Sequence, residues 1–367
     1  ALPILGSGGS RQFMSVPIAL QLTQPIFGVN NLKWNRRIEP VRYEEAKAAF
    51  ITATETVTMN AITYFFNLLS AKETLGTARQ NQVNADRLYE VAGAKRKMGQ
   101  ISENELLQLK LAALKARAAV TDAESNLNAH MFRLRSFLAI GNDLILEPVV
   151  PESAPNLKME YNQVLNKALE RNSFAHNIRR RQLEAEYEVA TARGNLRSVD
   201  LFANVGYTGL NKDLSPAYHN LLDNQVVEVG VKIPILDWGK RRGKVRVAKS
   251  NRDVTLSKIK KEQMDFDQDI FLLVEHFNNQ AQQLSIANEA DKIAQQRYKT
   301  SVETFLIGKI NTLDLNDAQS SKDDARQKHI NELYWYWYYY YQLRSLTLWD
   351  FQNNTPLEAD FEDIVKK

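Results

Sequence analysis

The chain has 367 residues, with 47 Lys and Arg against 43 Asp and Glu and a formal charge of +4, an excess too small to call for a nucleic-acid partner. Its 15 glycines and 10 prolines fall well short of the roughly 12% of an average protein, which argues for long elements and against a sandwich of many short strands. Cysteine is absent, so disulfides, thiolate zinc sites and cysteine nucleophiles are excluded.

No run of ~18 apolar residues marks a transmembrane helix, although a membrane β-barrel would leave no such run. Starting at Ala1 without an apolar signal segment, the chain reads as a processed or truncated product. A weak strand over residues 3–12 includes the glycine-rich GSGGS. Val16, Ile18, Leu20 and Leu22 then alternate with Pro17, Ala19, Gln21 and Thr23 up to Pro25, the period of a strand with one apolar face. From about residue 28 to 97 the period becomes helical, with Ala46, Phe50, Ala53, Val57, Ala61, Tyr64, Leu68, Ala71, Leu75 and Ala78 as the apolar stripe. Such a helix would run ~105 Å, kinked by Pro40 or starting there. A turn around Gly99 leads into a returning helix that Gly141 should stop, and Pro148, Pro151 and Pro155 keep the next stretch extended.

A helix over 161–198 follows, then a strand in which Val199, Leu201, Ala203, Val205 and Tyr207 alternate with Asp200, Asn204 and Thr208. A second strand carries Val227, Val229, Val231 and Ile233 up to Pro234. In the next long helix Ile259, Phe266, Ile270, Leu273, Phe277, Leu284, Ala287 and Ala294 follow a coiled-coil spacing. It turns at Gly308 into a last long helix.

The two halves match at an offset of 209, which sets Pro25 on Pro234, Arg37 on Arg246, Tyr89 on Tyr298, Gly99 on Gly308, Ile101 on Ile310 and Arg117 on Arg326. Recurrence of the scarce punctuating residues carries the weight, because they set element boundaries. The predicted organisation is a first repeat over 1–140, with a β-hairpin at about 3–25 and a helical hairpin at about 28–140, and a connector at 141–160. A second repeat over 161–349 holds the helix 161–198, a β-hairpin at 199–234 and a helical hairpin at 237–349, and a segment at 350–367 closes the chain. The first repeat would lack an opening helix.

Strands of this length and alternation suit a transmembrane barrel, yet four cannot close one, so several chains would have to share it. The competing readings are a soluble α+β protein whose short hairpins pack on its helices, and a periplasmic coiled-coil adaptor without a pore that uses its helices only for protein contacts.

The segments VEVGVKIPILDWGKRRGKVRVAKSN and IALQLTQPIFGVNNLKWNRR, and the turns RLYEVAGAKRKMGQISENELLQLKLAALKAR and RYKTSVETFLIGKINTLDLNDAQSSKDDAR, resemble the TolC-type outer membrane efflux proteins. The resemblance runs from Val16 to about Trp349. It implies a mainly α fold with a small β part, a homotrimer sharing one twelve-stranded transmembrane barrel, and a long periplasmic α-helical barrel. It implies an equatorial belt from 141–160 and 350–367. It further implies an outer-membrane exit duct of a tripartite efflux pump or type I secretion system, working with a periplasmic adaptor and, through it, an inner-membrane pump. No enzymatic activity and no cofactor are implied.

Glycine at 99 and 308 supplies the left-handed conformation that a helix reversal needs. The resemblance makes these tips adaptor contacts, with Gly99, Ile101, Gly308 and Ile310 as candidates. Asp314 and Asp317 share one helix face, and in a trimer would repeat as two acidic rings that favour cations. The family carries aspartates at both places in its constriction, whereas its gating tyrosine and arginine are replaced here by Phe305 and Ile310. The basic run Lys240, Arg241, Arg242, Lys244, Arg246, Lys249, Arg252 and its echo Lys33, Arg36, Arg37, Arg42 begin just after strands. They would meet outer-membrane lipid phosphates or water, or else face a lumen. The aromatic run Tyr334 to Tyr341 looks like a membrane belt but falls in the predicted equatorial zone, where it would pack or meet partners. Histidines 130, 176, 219, 276 and 329 show no ligand spacing, and no phosphate-binding or nucleophile-elbow motif occurs.

Overall fold

The computed structural model describes residues 14–141, 144–150, 154–155, 157–197, 199–211, 221–233, 236–359 and 361. In chain order these form β1 (Met14–Pro25), α1 (Asn31–Lys97), α2 (Glu103–Leu138), α3 (Tyr161–Arg171), α4 (Ser173–Leu196), β2 (Asp200–Asn211) and β3 (Leu221–Lys232). Then come α5 (Lys240–Leu306), α6 (Thr312–Thr347) and the short pair β4 (Trp349–Asp350) and β5 (Thr355–Pro356). An offset of 209 carries α1 onto α5 and α2 onto α6 end to end, 67 residues and 36 residues long respectively. The segment GSGGS, the strand expected before β1, Pro151, Pro234, His219 and the tip of the 199–234 hairpin lie outside the described residues, as does most of the chain beyond 359.

The chain divides into two compact units. One comprises residues 1–42 and 178–261. Its three-stranded antiparallel sheet has the order β1-β2-β3, and the helical segments here enclose Ile38, Leu183, Ala185, Val189 and Ile259. Asn30 starts α1 by accepting the Lys33 amide at 2.9 Å. Pro40 therefore lies inside α1 and not at its start. Asp237 does the same work before α5, accepting the Gly239 and Arg241 amides at 3.0 Å each. Its carboxyl is held below the usual range, chiefly by the Arg241 amide.

The other unit comprises residues 43–177 and 262–367. Its main core joins Phe66 and Leu69 of α1, Val164 and Ala168 of α3, Ile270 and Phe277 of α5, and Leu333, Tyr336, Tyr340 and Leu343 of α6. The aromatic run thus packs inward with every fourth ring buried. Burial pushes the Tyr336 hydroxyl up to about 12, and burial with the Asp350 carboxylate at 2.7 Å raises Tyr340 further. Smaller clusters centre on Leu75, Ala78 and Ala123, and on Leu88, Ala92, Leu109, Tyr298, Leu315 and Ala318 near the turns.

Two sequence expectations need correction. The single helix at 161–198 is two, because Asn172 leaves the helical conformation. Its side-chain amide donates to the Leu346 carbonyl at 2.6 Å while its oxygen accepts the Phe174 amide at 2.8 Å, capping α4. Gly141 does not end α2: the helix stops at Leu138, and Ala139 takes the left-handed cap at φ 52°. Leu348 repeats that cap after α6 at φ 49°.

Candidate functional site: the open sheet face and the helix-hairpin tips

In an antiparallel ladder, residues directly opposite one another project to the same face. The register sets Leu20, Val205 and Val227 in one row and Leu22, Ala203 and Val229 in the next, with Leu201 beside Val231 beyond them. All of the leucines and valines in these rows are exposed. The opposite face carries Gln21, Asn204 and Glu228 in register, and next to them Thr23 and Phe202, whose ring lies across Gly230. The sheet is therefore two-faced with its apolar face uncovered, and among the described residues β1 and β3 are open edges. Each strand has 12 residues, or about 40 Å, enough to cross a ~25 Å apolar band at the usual barrel tilt. No helix among the described residues is long and apolar enough to cross a membrane.

In the helical unit, the two turns are built alike. Gly99 at φ 73° and Gly308 at φ 78° are left-handed. The Gly99 amide donates to Arg96 and Gln100 to Lys95, and the Gly308 amide donates to Phe305 and Lys309 to Thr304. This paired pattern ends a helix by satisfying its last carbonyls. Each following helix begins with a reciprocal capping box. The Ser102 hydroxyl accepts the Glu105 amide at 3.2 Å while Glu105 accepts the Ser102 amide at 2.8 Å, and that backbone bond keeps the Glu105 carboxyl low. Asn311 accepts the Asp314 amide at 2.9 Å, and Asp314 accepts the Asn311 amide at 3.5 Å.

An open groove of about 590 Å³ at the turns is lined by Ile101, Phe305, Gly308, Ile310, Asn311 and Asp314, among others. The structure thus gathers four of the six residues singled out from the sequence, leaving Gly99 and Asp317 outside the groove lining. Asp314 and Asp317 are both exposed on α6, but their local roles differ. Asp314 closes the cap, whereas Asp317 accepts from the Arg297 guanidinium of α5 at 2.5 Å. Arg297 was not visible as a site residue in the sequence, because its repeat counterpart is Leu88.

Sequence reasoning also missed an ion cluster farther along α6. Arg326 donates to Glu73 of α1 at 2.6 Å and to Asp291 of α5 at 3.1 Å. Asp291 is buried, accepts Gln295 at 2.8 Å, and has the His329 ring nitrogen at 3.5 Å. Nothing among the described residues groups His, Asp and Glu as a metal site.

The sequence model of the outer membrane efflux protein family matches residues 5–139 and 164–347. The chain belongs to that family. Among solved structures, CusC matches with a TM-score of 0.71 at 15% identity, over 92% of this chain and 82% of its own. The Campylobacter jejuni outer membrane channel CmeC matches with a TM-score of 0.68 at 17% identity, over 97% and 80%. The outer membrane protein VceC of Vibrio cholerae matches at 0.65 and 14%, over 92% and 86%. No curated protein sequence matches. At these identities the likeness establishes the fold of this family member, and the uncovered sheet face is the part of that fold that bears on membrane residence.

Proposed function

We propose that this family member is an outer-membrane exit duct that passes substrate from the periplasm to the exterior without chemistry, as part of a tripartite efflux pump or a type I secretion system. The observation that carries the reading is the sheet with its exposed apolar rows and open edges. Unpaired strand edges are not tolerated in lipid, so the strands must pair with those of other copies. With the three strands of the sheet and the fourth that the sequence predicts at residues 3–12, a homotrimer closes a twelve-stranded barrel, with the helical hairpins extending into the periplasm. Gly99, Ile101, Gly308 and Ile310 at the turns then meet a periplasmic adaptor, through which the duct engages an inner-membrane pump. Asp314 and Asp317, exposed near the turn and repeated by symmetry, form the acidic constriction. Phe305 and Ile310 leave its latch to other groups, and the Arg297 pair with Asp317 is the ionic contact available there.

The test is single-channel conductance of the full-length protein in a planar lipid bilayer, beside an Asp314→Asn, Asp317→Asn variant. Asparagine at 314 can still accept the Asn311 amide, so the cap survives. Cation-selective openings whose selectivity falls in the variant support both the duct and the constriction. Openings with unchanged selectivity remove the constriction alone. A water-soluble monomer without conductance overturns the duct in favour of a pore-less adaptor.

A further inference from the structure

The sheet unit changes character abruptly where its strands meet its long helices. Just after β1, Phe27 is 62% exposed, and after β3 Leu236, at the same repeat position, is 77% exposed. Trp238 follows at 94%. Beyond these apolar side chains the surface turns basic. Lys33 and Arg37 occupy the repeat positions of Arg242 and Arg246, and Arg37 lies 4.9 Å from the Trp34 ring, which in turn meets Tyr187 at 5.6 Å.

Among the described residues no salt bridge joins Lys33, Arg37, Arg242 or Arg246 to a carboxylate, although Asp237 and Arg242 attract each other at longer range. Glu39 and Glu184 both bind Arg42, and Asp237 is held by Arg241 and backbone amides. Neither α1 nor α5 has an acidic residue in its first turn, although that end of a helix is itself positive and ordinarily attracts acids. The first repeat leaves that preference unmet, with the neutral Asn30 at the start of α1, whereas in the second Asp237 meets it from just before α5. The order is the same in each: exposed apolar strand face, exposed large apolar residue, then cations. That order matches the profile of a bilayer edge, where apolar groups enter the acyl boundary and Lys and Arg reach phosphate.

We propose that the two strand-to-helix junctions form a docking surface for the phosphate headgroups of anionic phospholipids, with Phe27, Leu236 and Trp238 set in the acyl boundary and Lys33, Arg37, Arg242 and Arg246 on the phosphates. This rests on the reading that the sheet crosses the outer membrane. It adds a preference for anionic over zwitterionic lipid, placed in named residues of both repeats.

Native mass spectrometry of the full-length protein in detergent, titrated with phosphatidylglycerol or phosphatidylcholine, tests it. The expected result is about tenfold or greater preference for phosphatidylglycerol, weakened by salt and lost in the Lys33→Gln, Arg37→Gln, Arg242→Gln, Arg246→Gln variant. A charge-keeping variant, Arg37→Lys with Arg242→Lys, should retain the preference, which separates charge from folding defects. Equal retention of both lipids by the unaltered protein overturns the proposal, as does full competition by inorganic phosphate. A quadruple variant that alters ion selectivity while keeping its lipid preference also overturns it, placing the cations in the lumen. Conductance of the same preparation separates the two readings: a conducting protein without lipid preference sinks this surface and spares the duct, whereas loss of both sinks the duct.

Discussion

The two returning helices, α2 and α6, have the same length, the same capping-box geometry and the same left-handed exit, yet they are used differently. α2 buries Leu109, Ala113, Ala123 and Leu134, while Leu107, Leu111, Leu114 and Phe132 remain exposed. α6 buries ten residues, including Leu315, Ile330, Leu333, Tyr336, Tyr340 and Leu343. The reason is the number of neighbours. Along most of its length α2 is tied to α1, through pairs such as Arg79–Glu124 and Asp86–Arg117, and it meets α6 near the turn, where Thr312 donates to Gln108 at 3.3 Å. α6 is tied to α1 through Lys322–Asn81 and Arg326–Glu73, and to α5 through Arg326–Asp291 and Gln280–Glu332. Caps and turns answer to the local backbone and survived duplication. Burial answers to what lies alongside, and there the repeats parted.

Matched substitutions at the 209 offset sharpen this contrast. Tyr340→Ala removes a buried ring and its bond to Asp350, and should cost about 3–5 kcal/mol. Met131→Ala, at the same place in the first repeat and half-buried, should cost roughly 1 kcal/mol. Denaturant titration of the full-length protein, followed by circular dichroism, checks both; equal costs would break the comparison. Next in size is the arginine pair. Arg326→Ala strands the buried Asp291 carboxylate, for an expected loss of about 3 kcal/mol. Arg117→Ala removes an exposed pair with Asp86, worth roughly 0–1 kcal/mol. An Arg117 effect as large as that of Arg326 would mean that α2 is embedded as deeply as α6.

Much of this was readable in the sequence, and the failures have a common cause. Gly99, Gly308 and the matched boundaries were legible because turns and caps depend on residues within a few positions. The α5 stripe was legible as well: Ile259, Ile270, Leu273, Phe277, Leu284, Ala287 and Ala294 are buried and Phe266 is half-buried. The α1 stripe was right only in its second half, at Leu68, Ala71, Leu75 and Ala78. Earlier along α1, Phe50 and Val57 are exposed and Glu55 is buried, with Arg344 of α6 donating to it at 3.1 Å. A periodicity scan assigns a glutamate to the outer face, since it cannot see a partner 289 residues away. The break at Asn172 was hidden for the same reason, because its side chain answers to the distant Leu346 carbonyl. Of the site, the turn residues and exposed carboxylates were legible, whereas Arg297 and the Arg326 cluster required knowledge of which helices meet.

The smallest expected effect is a pH slope present in one repeat only. His329 lies beside Asp291 and Arg326, and at its repeat position α2 carries Val120. Burial lowers the His329 pKa; Asp291 opposes the shift, while Arg326 and Lys292 add to it. A histidine depressed in the folded state is neutral there over a range in which the unfolded chain already binds a proton. Stability is therefore full above the unfolded pKa of about 6.5 and declines as pH falls from there toward the folded value. His329→Val, which restores the residue of the first repeat, removes that decline and leaves the carboxylate titrations in place. The difference in thermal midpoint between pH 7.5 and 5.5 should thus be smaller in the variant than in the unaltered protein. An identical or steeper pH dependence in the variant would mean that His329 takes up its proton in the folded protein as readily as in the unfolded chain. The ion cluster of α6 would then be open to water, and the contrast with α2 would rest on the aromatic core alone.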